Sequence, residues 1–362
     1  MLKRLHITNF KSIYDETIEL GRFNVFIGEN GSGKTNILEA LGMASAAAEN
    51  KLSNDELALK GIRVAKPMIT FGSFLGEKQR EKIVINYAIE SNNRTVIFKN
   101  NLTSNKPNDI FSEWNLDYGI IDNGKTILES SLAFESMINV ASFIDEKMPQ
   151  LKKLELLEDL LFFKEINADY HKKSDVDSYK IFNLSTQTLR GIGGLSREIP
   201  GIRGENLDRL IESFDKEERA KLEEYAYFIN WLHKIEIDKE DRHKLKGHKL
   251  DMSTSILYFR DKYMQRKNNL FSAENANEGV LHILFYLALF ISKHTSKFFA
   301  IDNIETALNP ELCKKLTEQL VKLSKETKRQ VLITTHSPAV LDGLNLHDPE
   351  QRLFKVYRNK KG

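Results

Sequence analysis

A glycine-rich segment, residues 28–35, carries the residue types that bind phosphate groups. Its sequence GENGSGKT matches the pattern GxxxxGK[ST] of phosphate-binding loops. Its glycines let backbone N–H groups turn toward phosphate oxygens. Lys34 supplies a positive charge for the β- and γ-phosphates, and Thr35 supplies a hydroxyl for Mg²⁺. The pattern predicts a nucleotide site on consecutive residues: Gly28, Glu29, Asn30, Gly31, Ser32, Gly33, Lys34, Thr35 and Asn36.

Two further polar residues follow buried apolar runs later in the chain. Asp302 comes directly after residues 298–301, and a carboxylate at the end of a buried strand suits a magnesium shell. His336 comes directly after residues 331–335, which predicts a place at the ligand-binding edge of a parallel sheet. A surface loop is the alternative for either residue. The presence of the phosphate-binding pattern favours the magnesium role for Asp302.

Hydrophobic patterning indicates which elements must position these residues. Residues 23–27 are an apolar, β-rich run that meets a turn at Gly28, and a helix starts at Lys34. Strands alternating with helices predict a parallel sheet covered by helices. Further strands are predicted at 68–74, 82–89, 94–98, 255–259 (rejoining the sheet), 298–301 and 331–335, and helices at 280–291 and 310–325.

The middle of the chain has a different character. Residues 151–163 have helical apolar spacing, and residues 205–237 are dense in Glu, Lys, Arg and Leu. We therefore predict a mostly helical insertion over residues 126–250. Residues 1–125 and 251–362 would form the two parts of one split domain.

Composition excludes several classes of protein. The 53 Lys and Arg residues nearly balance 51 Asp and Glu, so binding of nucleic acid through bulk charge is excluded. Two local basic segments, 242–249 and 260–267, keep DNA as a candidate partner. One cysteine, Cys313, excludes a disulfide framework. No apolar run approaches the roughly 20 residues of a membrane span, and the first residues lack a signal-peptide core, which predicts a cytoplasmic protein without a membrane partner.

Four segments together resemble the ABC-type ATPase heads, within the SMC/RecF/OLD group of AAA ATPases. They are ITNFKS (7–12), GENGSGKTNILEAL (28–41), FFAIDNIETALNP (298–310) and ITTHSP (333–338). The resemblance covers both ends of the chain and implies an α/β head that has a mainly parallel sheet and an N-terminal antiparallel β region. The mostly helical insertion, by contrast, is predicted from the patterning of residues 126–250 alone. It also implies ATP and Mg²⁺ as cofactors, with Thr35 and Asp302 as the metal-binding residues.

The resemblance assigns a role to each motif. Residues 28–35 correspond to the Walker A loop, Asp302 to the Walker B acid, residues 306–309 to the D-loop and His336 to the switch histidine. Asn277 and Gly279 stand where the family has its Ser-x-Gly signature, which binds the γ-phosphate held by another subunit. A dimer or higher homo-oligomer that sandwiches ATP is therefore implied.

Three departures from the family affect the mechanism. The residue after the Walker B acid is normally a catalytic Glu, but in this chain it is Asn303. An amide can orient water but cannot take its proton. The signature Ser is replaced by Asn277, and the usual basic residue three positions after the signature Gly is replaced by His282. We predict slow or triggered hydrolysis, with Asp302, Asn303 and His336 as the catalytic set.

The motifs leave more than one biological role open. The preferred hypothesis is a sensor or scaffold in anti-phage defence that acts on a separate effector, a nuclease or toxin, as in the ATPase components of PARIS and Septu systems. The alternative is a RecF- or SMC-like repair ATPase that binds DNA directly. A transporter subunit is disfavoured because the chain has no clear LSGGQ-like signature.

Overall fold

The computed structural model describes residues 1–91, 94–130, 175–194, 196–250 and 252–359. Two compact units divide the chain. The first comprises Met1–Asn24, Gly28–Ile181 and Phe354–Gly362, and the second comprises Val25–Ile27 and Phe182–Leu353. Within the described ranges, no helix is long and apolar enough to cross a membrane.

Strands predominate in the first part of the described chain, and strands and helices alternate from residue 278 onward. The strands are β1 (Leu2–Phe10), β2 (Ile13–Glu19), β3 (Phe23–Ile27), β4 (Ile83–Ser91), β5 (Arg94–Ser104), β6 (Trp114–Asp122), β7 (Lys125–Ser130), β8 (Ile181–Phe182), β9 (Leu232–Ile237), β10 (Leu257–Asp261), β11 (Leu270–Ser272), β12 (Phe298–Ile301), β13 (Gln330–Thr335) and β14 (Gln351–Lys355). The helices are α1 (Lys34–Ala48), α2 (Asn54–Leu59), α3 (Pro67–Thr70), α4 (Thr186–Leu189), α5 (Leu207–Glu212), α6 (Lys216–Tyr225), α7 (Arg242–Leu245), α8 (Glu278–Ile291), α9 (Pro310–Glu326) and α10 (Pro338–Leu341).

The first unit contains a six-stranded sheet in the order β2-β1-β4-β5-β6-β7. Each neighbouring pair is antiparallel. Along β5, buried residues occur at every second position from Val96 to Leu102, as expected when one face of a strand lies on a core. Phe98 of β5 stacks on Tyr87 of β4, with ring centroids 4.7 Å apart. This sheet confirms the predicted N-terminal antiparallel region.

Helix α1 lies in the first unit and packs against β1 and β4. It is alanine-rich and buried along most of its length. A Cβ on Gly42 would come within 3.1 Å of Ile62, so the small side chains permit close packing. Because α1 is closely packed along most of its length, it holds the end of the glycine-rich segment that precedes it in a fixed position.

One strand predicted in the first unit is wrong. Residues 68–74 were expected to be β, but Pro67–Thr70 forms a short helical turn and Phe71 makes only an isolated bridge with Phe10. Pro67 at the first helical position has φ already suited to a helix and lacks an N–H that a strand would use. The apolar run therefore reflects burial of Thr70 and Phe71 rather than strand pairing.

The second unit provides most of a five-stranded sheet in the order β14-β3-β13-β12-β8. Strands β12 and β13 are parallel, with Phe298 paired with Gln330. Helix α8 is buried from Gly279 to Ile291, and α9 buries the side of the helix that contains Leu316 and Leu320. These elements confirm the predicted strands at 298–301 and 331–335 and the predicted helices at 280–291 and 310–325.

A second, three-stranded sheet in this unit differs from the prediction. Its order is β11-β10-β9, and β10 is paired on both edges, so residues 255–259 do not rejoin the main sheet. Helix was predicted through residue 237, but Leu232–Ile237 is a strand that pairs antiparallel with β10. Its local signal is short, because only Ile235 and Ile237 lie in a period-2 pattern. The helix predicted at 151–163 lies outside the described residues, and the three-part division of the chain stays a prediction.

Candidate functional site

The glycine-rich segment of the first unit has a backbone that requires glycine. Gly31 and Gly33 have φ of 78° and 107°, in the left-handed region. A Cβ on Gly28 would come within 2.1 Å of the carbonyl oxygen of Val356, so no larger residue fits there. These glycines give the loop a conformation that other residue types would strain.

Lys34 spans the inside of this loop. Its side chain is buried, and its ammonium donates to the carbonyl oxygens of Gly28 at 2.7 Å and Glu29 at 2.9 Å. A buried ammonium needs such partners because desolvation of a charge is costly. The loop therefore holds a positive charge in its concave interior, where an anion would replace the weaker carbonyl partners.

Two more features fit the loop to a phosphate group. The Ser32 hydroxyl is buried and has no hydrogen-bond partner among the described residues. Helix α1 begins at Lys34 with no side-chain cap and no acidic residue in its first turn, so the positive end of its dipole faces the loop uncompensated. With the hydroxyl of Thr35, which is a hard oxygen ligand, the chemistry of the loop suits a phosphate–magnesium ligand.

Asp302 lies in the second unit at the carboxyl end of β12, and it is buried. One of its carboxylate oxygens accepts from the Thr334 hydroxyl, and the other accepts from the Asn183 amide at 3.3 Å. The same Thr334 hydroxyl accepts from the backbone N–H of Asn303 at 2.9 Å. The carboxylate is thus oriented from two neighbouring strands, as a metal-binding acid needs to be.

Glu305 ties the Asp302 segment to His336. Its two carboxylate oxygens accept from the Thr335 hydroxyl and the His336 backbone N–H, both at 2.8 Å. Both oxygens are therefore engaged in positioning β13, which argues against Glu305 as a relocated catalytic base. The His336 side chain is exposed beyond the end of that strand.

The signature-like segment precedes α8 in the same unit. Asn277 caps the helix by accepting from the Gly279 N–H at 2.9 Å, and its side chain is exposed. A Cβ on Gly279 would come within 3.2 Å of the carbonyl oxygen of Ala307, so glycine allows close approach of the D-loop-like segment. Ala307 itself has φ of 64°. The structure therefore brings these two motifs together within one unit.

Buried residues surround these motifs. Cys313 of α9 is buried near the Leu308 carbonyl, and burial raises the pKa of its thiol to about 11. His282 of α8 is buried, with its Nε2 3.2 Å from the Thr186 hydroxyl and its Nδ1 without a partner among the described residues. Burial lowers the pKa of His282 to about 4.

The His282 shift predicts a pH-dependent stability. The pKa in the folded protein lies below the unfolded value of 6.5, so the unfolded chain binds the proton more tightly and stability falls as pH drops from about 6.5 to about 4. This group alone accounts for about 3 kcal/mol. Urea unfolding at several pH values should show a shallower loss for His282→Leu than for the wild type. Parallel losses in the two proteins would contradict the assignment.

Sequence reasoning missed two residues that hold Asp302. Asn183 follows β8, a strand of only two residues, which is too short to recognise from patterning. Thr334 lies within the buried run 331–335, where a hydroxyl facing a neighbouring carboxylate leaves no periodic signal. No group of three or more His, Cys, Asp or Glu side chains in the described segments is placed to hold a metal. A site with one carboxylate, such as that of Asp302, is instead typical of a Mg²⁺ ion that takes its other ligands from substrate phosphates and water.

The sequence is similar to one described family and to several proteins of known name. Residues 23–342 match a family described as "AAA domain, putative AbiEii toxin, Type IV TA system". The DNA replication and repair protein RecF of Clostridium tetani is 24% identical over 242 residues, covering 66% of this chain and 59% of that protein. RecF of Renibacterium salmoninarum is 39% identical over 74 residues, covering 20% of this chain and 16% of its own length. The chain thus spans less than two thirds of these relatives.

Solved structures agree on the fold. The crystal structure of the SmcHead bound to the C-winged helix domain of ScpA superimposes with a TM-score of 0.56 at 15% identity, covering 94% of this chain and 92% of that one. An SMC head domain from Thermotoga maritima gives 0.50 at 14% identity, covering 95% and 92%. The predicted ABC-ATPase head fold, with parallel and antiparallel sheets plus helices, is confirmed.

Proposed function

This chain belongs to the family described as "AAA domain, putative AbiEii toxin, Type IV TA system", and on that basis we propose that it is an ATPase that binds ATP with Mg²⁺, hydrolyses it slowly and assembles with a second copy. The observation that carries the proposal is the buried Lys34 ammonium, which lies inside a loop that requires glycine at positions 31 and 33. The ligand most suited to this loop is a polyphosphate.

Each motif has a proposed task. Lys34 and the backbone of residues 28–36 hold the phosphates, while Thr35 and Asp302 hold the magnesium ion. A magnesium ion bound with the nucleotide acts as a Lewis acid that withdraws charge from the phosphates. Thr334 and Asn183 fix the orientation of the Asp302 carboxylate, and His336 supplies an exposed polar group at the end of β13.

Slow hydrolysis follows from Asn303. Its amide can accept or donate a hydrogen bond and so orient a water molecule, but it cannot remove a proton at neutral pH. Glu305 has a different task in this proposal, because its two oxygens hold the Thr335 hydroxyl and the His336 backbone N–H. The bound nucleotide would therefore persist, and persistence suits a protein in which ATP shifts an assembly equilibrium.

Assembly with a second copy is supported by exposed motifs. Asn277 and Glu278 of the signature-like segment are exposed, as are Thr306 and Ala307 of the D-loop-like segment. These are the motifs that the family resemblance assigns to the nucleotide held by another subunit. We propose a homodimer, or a larger homo-oligomer, that forms around ATP.

We further propose a separate effector protein, a nuclease or toxin, as the target of this assembly in anti-phage defence. Two observations support a protein partner: the family description names a toxin system, and one solved head with the same fold is bound to a domain of ScpA. Similarity to the ATPase components of PARIS and Septu systems remains an analogy.

A DNA-directed role is the second candidate. The RecF relatives are named for DNA replication and repair, and residues 262–267 form a basic tip between β10 and β11. Lys262, Arg266 and Lys267 are exposed there, beside Tyr263, whose side chain is 74% exposed. Arg260 of the predicted cluster is instead paired with Glu236 at 2.6 Å. Basic residues beside an exposed aromatic ring suit single-stranded nucleic acid.

Three measurements on the purified protein test these proposals and distinguish between them. The mass of the purified protein is measured by light scattering with ATP, with ADP and without nucleotide, and ATP should double the mass or raise it further. The protein co-expressed with the product of an adjacent gene should form a stable complex under the defence hypothesis. Steeply salt-dependent DNA binding by the protein alone would favour the repair hypothesis instead. An unchanged mass with ATP would contradict assembly.

A further inference from the structure

A buried carboxylate lies one helical turn beyond the phosphate-binding loop. The Glu39 side chain of α1 is fully buried, and four N–H donors converge on it. Lys11 donates through Nζ at 2.6 Å. Arg63 donates through its backbone N–H at 2.9 Å, through Nε at 2.7 Å and through Nη2 at 3.0 Å. Burial would raise the pKa of Glu39, but the Arg63 and Lys11 hydrogen bonds outweigh it and lower that pKa.

The same cluster extends back to the loop itself. Arg63 Nη2 donates to the Asn36 side-chain oxygen at 2.9 Å, and the Asn36 amide donates to the Ser12 hydroxyl at 2.7 Å. That hydroxyl lies 2.9 Å from where a Cβ on Gly33 would be. A continuous chain of hydrogen bonds therefore runs from Glu39 through Arg63 and Asn36 to Ser12, whose hydroxyl lies beside Gly33 of the phosphate-binding loop. All of its members lie in the first unit.

The charges of this cluster do not balance. One carboxylate faces two cations, so the cluster is net positive beside a loop that suits a polyanion. A buried ion pair adds little net stability, because desolvation offsets the attraction. The Arg63 side chain is 66% exposed although it binds a fully buried carboxylate, so its contact with Asn36 joins the interior to the rim of the loop.

We propose that Glu39 is a positioning residue, which holds Ser12 and Asn36 against the phosphate-binding loop through Arg63 and thereby sets the affinity for the nucleotide phosphates. This inference rests on the proposed function and adds a determinant of affinity outside the loop motif. Glu39 touches no substrate; it acts by preorganising the groups that do. Lys11 anchors the other side, at the turn between β1 and β2, where its φ is 50°.

The test compares two glutamates of the same helix region. Glu39→Gln keeps the shape but brings an amide donor against the donors of Lys11 and Arg63. Glu49→Gln is the matched control: Glu49 accepts from Lys60 at 3.4 Å and lies about 20 Å along the helix axis from Thr35. Glu39→Gln should weaken ATP binding at least about tenfold, while Glu49→Gln should change it less than about twofold. Thermal unfolding without nucleotide reports any loss of fold in each variant.

A double-mutant cycle distinguishes positioning from general destabilisation. Arg63→Gln removes two side-chain donors from Glu39 but leaves it paired with the Lys11 ammonium and the backbone N–H of residue 63, so the buried carboxylate keeps a balancing charge. This variant should weaken ATP binding as Glu39→Gln does. Because both act on one chain of contacts, the double variant should lose no more affinity than Glu39→Gln alone. Additive losses, or equal losses in Glu39→Gln and Glu49→Gln, overturn the inference.

The outcome also separates this inference from the function beneath it. A wild-type protein that binds no ATP would overturn the proposed function and the inference together. A wild-type protein that binds ATP, with Glu39→Gln binding it equally well, overturns the inference alone.

Discussion

Replacement of Lys34 by alanine is expected to raise the dissociation constant for ATP at least about a hundredfold. The ammonium is the positive charge inside the loop, and charge-assisted hydrogen bonds to phosphate are the strongest that the loop can offer. The change also leaves the Gly28 and Glu29 carbonyls without the donor that bridges them. Titration with a fluorescent ATP analogue measures the effect directly.

Lys60→Ala provides a matched control. Lys60 is a second buried lysine of the first unit, and it donates to a backbone carbonyl, that of Asp177, at 2.6 Å. Within the described residues, its ammonium donates to Ser45, Glu49 and Asp177 and not to the glycine-rich segment. Lys60→Ala should destabilise the fold yet leave the ATP affinity of the folded protein within about twofold. Equal losses of affinity in both variants would contradict the role of Lys34.

Introduction of a glutamate at position 303 is expected to raise ATP turnover at least about tenfold, because a carboxylate can accept the proton that the Asn303 amide cannot. The gain is opposed by the backbone. Asn303 has φ of 55°, a conformation that asparagine tolerates better than glutamate. Steady-state hydrolysis of Asn303→Glu and wild type is compared, with Lys34→Ala as the blank.

Asn303→Gln separates the two effects. It carries the same backbone strain and side-chain length as Asn303→Glu but has no basic group, so its turnover should stay at or below that of the wild type. A fast wild-type enzyme whose turnover is unchanged by Asn303→Glu would show that hydrolysis needs no base at this position.

Local patterns in the sequence indicate much of the candidate site. Residues 28–36 are consecutive and run from the glycine-rich segment into the first turn of α1, so their spacing alone predicts a phosphate site. Asp302 was predictable because four apolar residues precede it, and a buried strand that ends in an acid is a local signal. The same reasoning gave the strands and helices on which Asp302 and His336 lie.

Contacts between residues that are distant in the chain could not be predicted from the sequence. Asn183 and Asp302 are separated by 119 positions, and Glu39 and Arg63 by 24. Nothing in the neighbourhood of either partner indicates the other, since tertiary packing creates the pair. The wrong prediction at residues 68–74 has a related cause. The apolar side chain of Phe71 is buried in the core, but burial does not require a strand.

The burial of Cys313 allows a cysteine introduced elsewhere in the chain to be labelled selectively. It is the single cysteine, it is buried, and its raised pKa leaves almost no thiolate at neutral pH. Maleimide reagents should therefore react very slowly with the wild-type protein. A cysteine introduced at an exposed position such as Thr306 would be labelled selectively, without prior removal of a native thiol. Spin labels or crosslinkers placed there could measure how far two copies are apart as nucleotide is added.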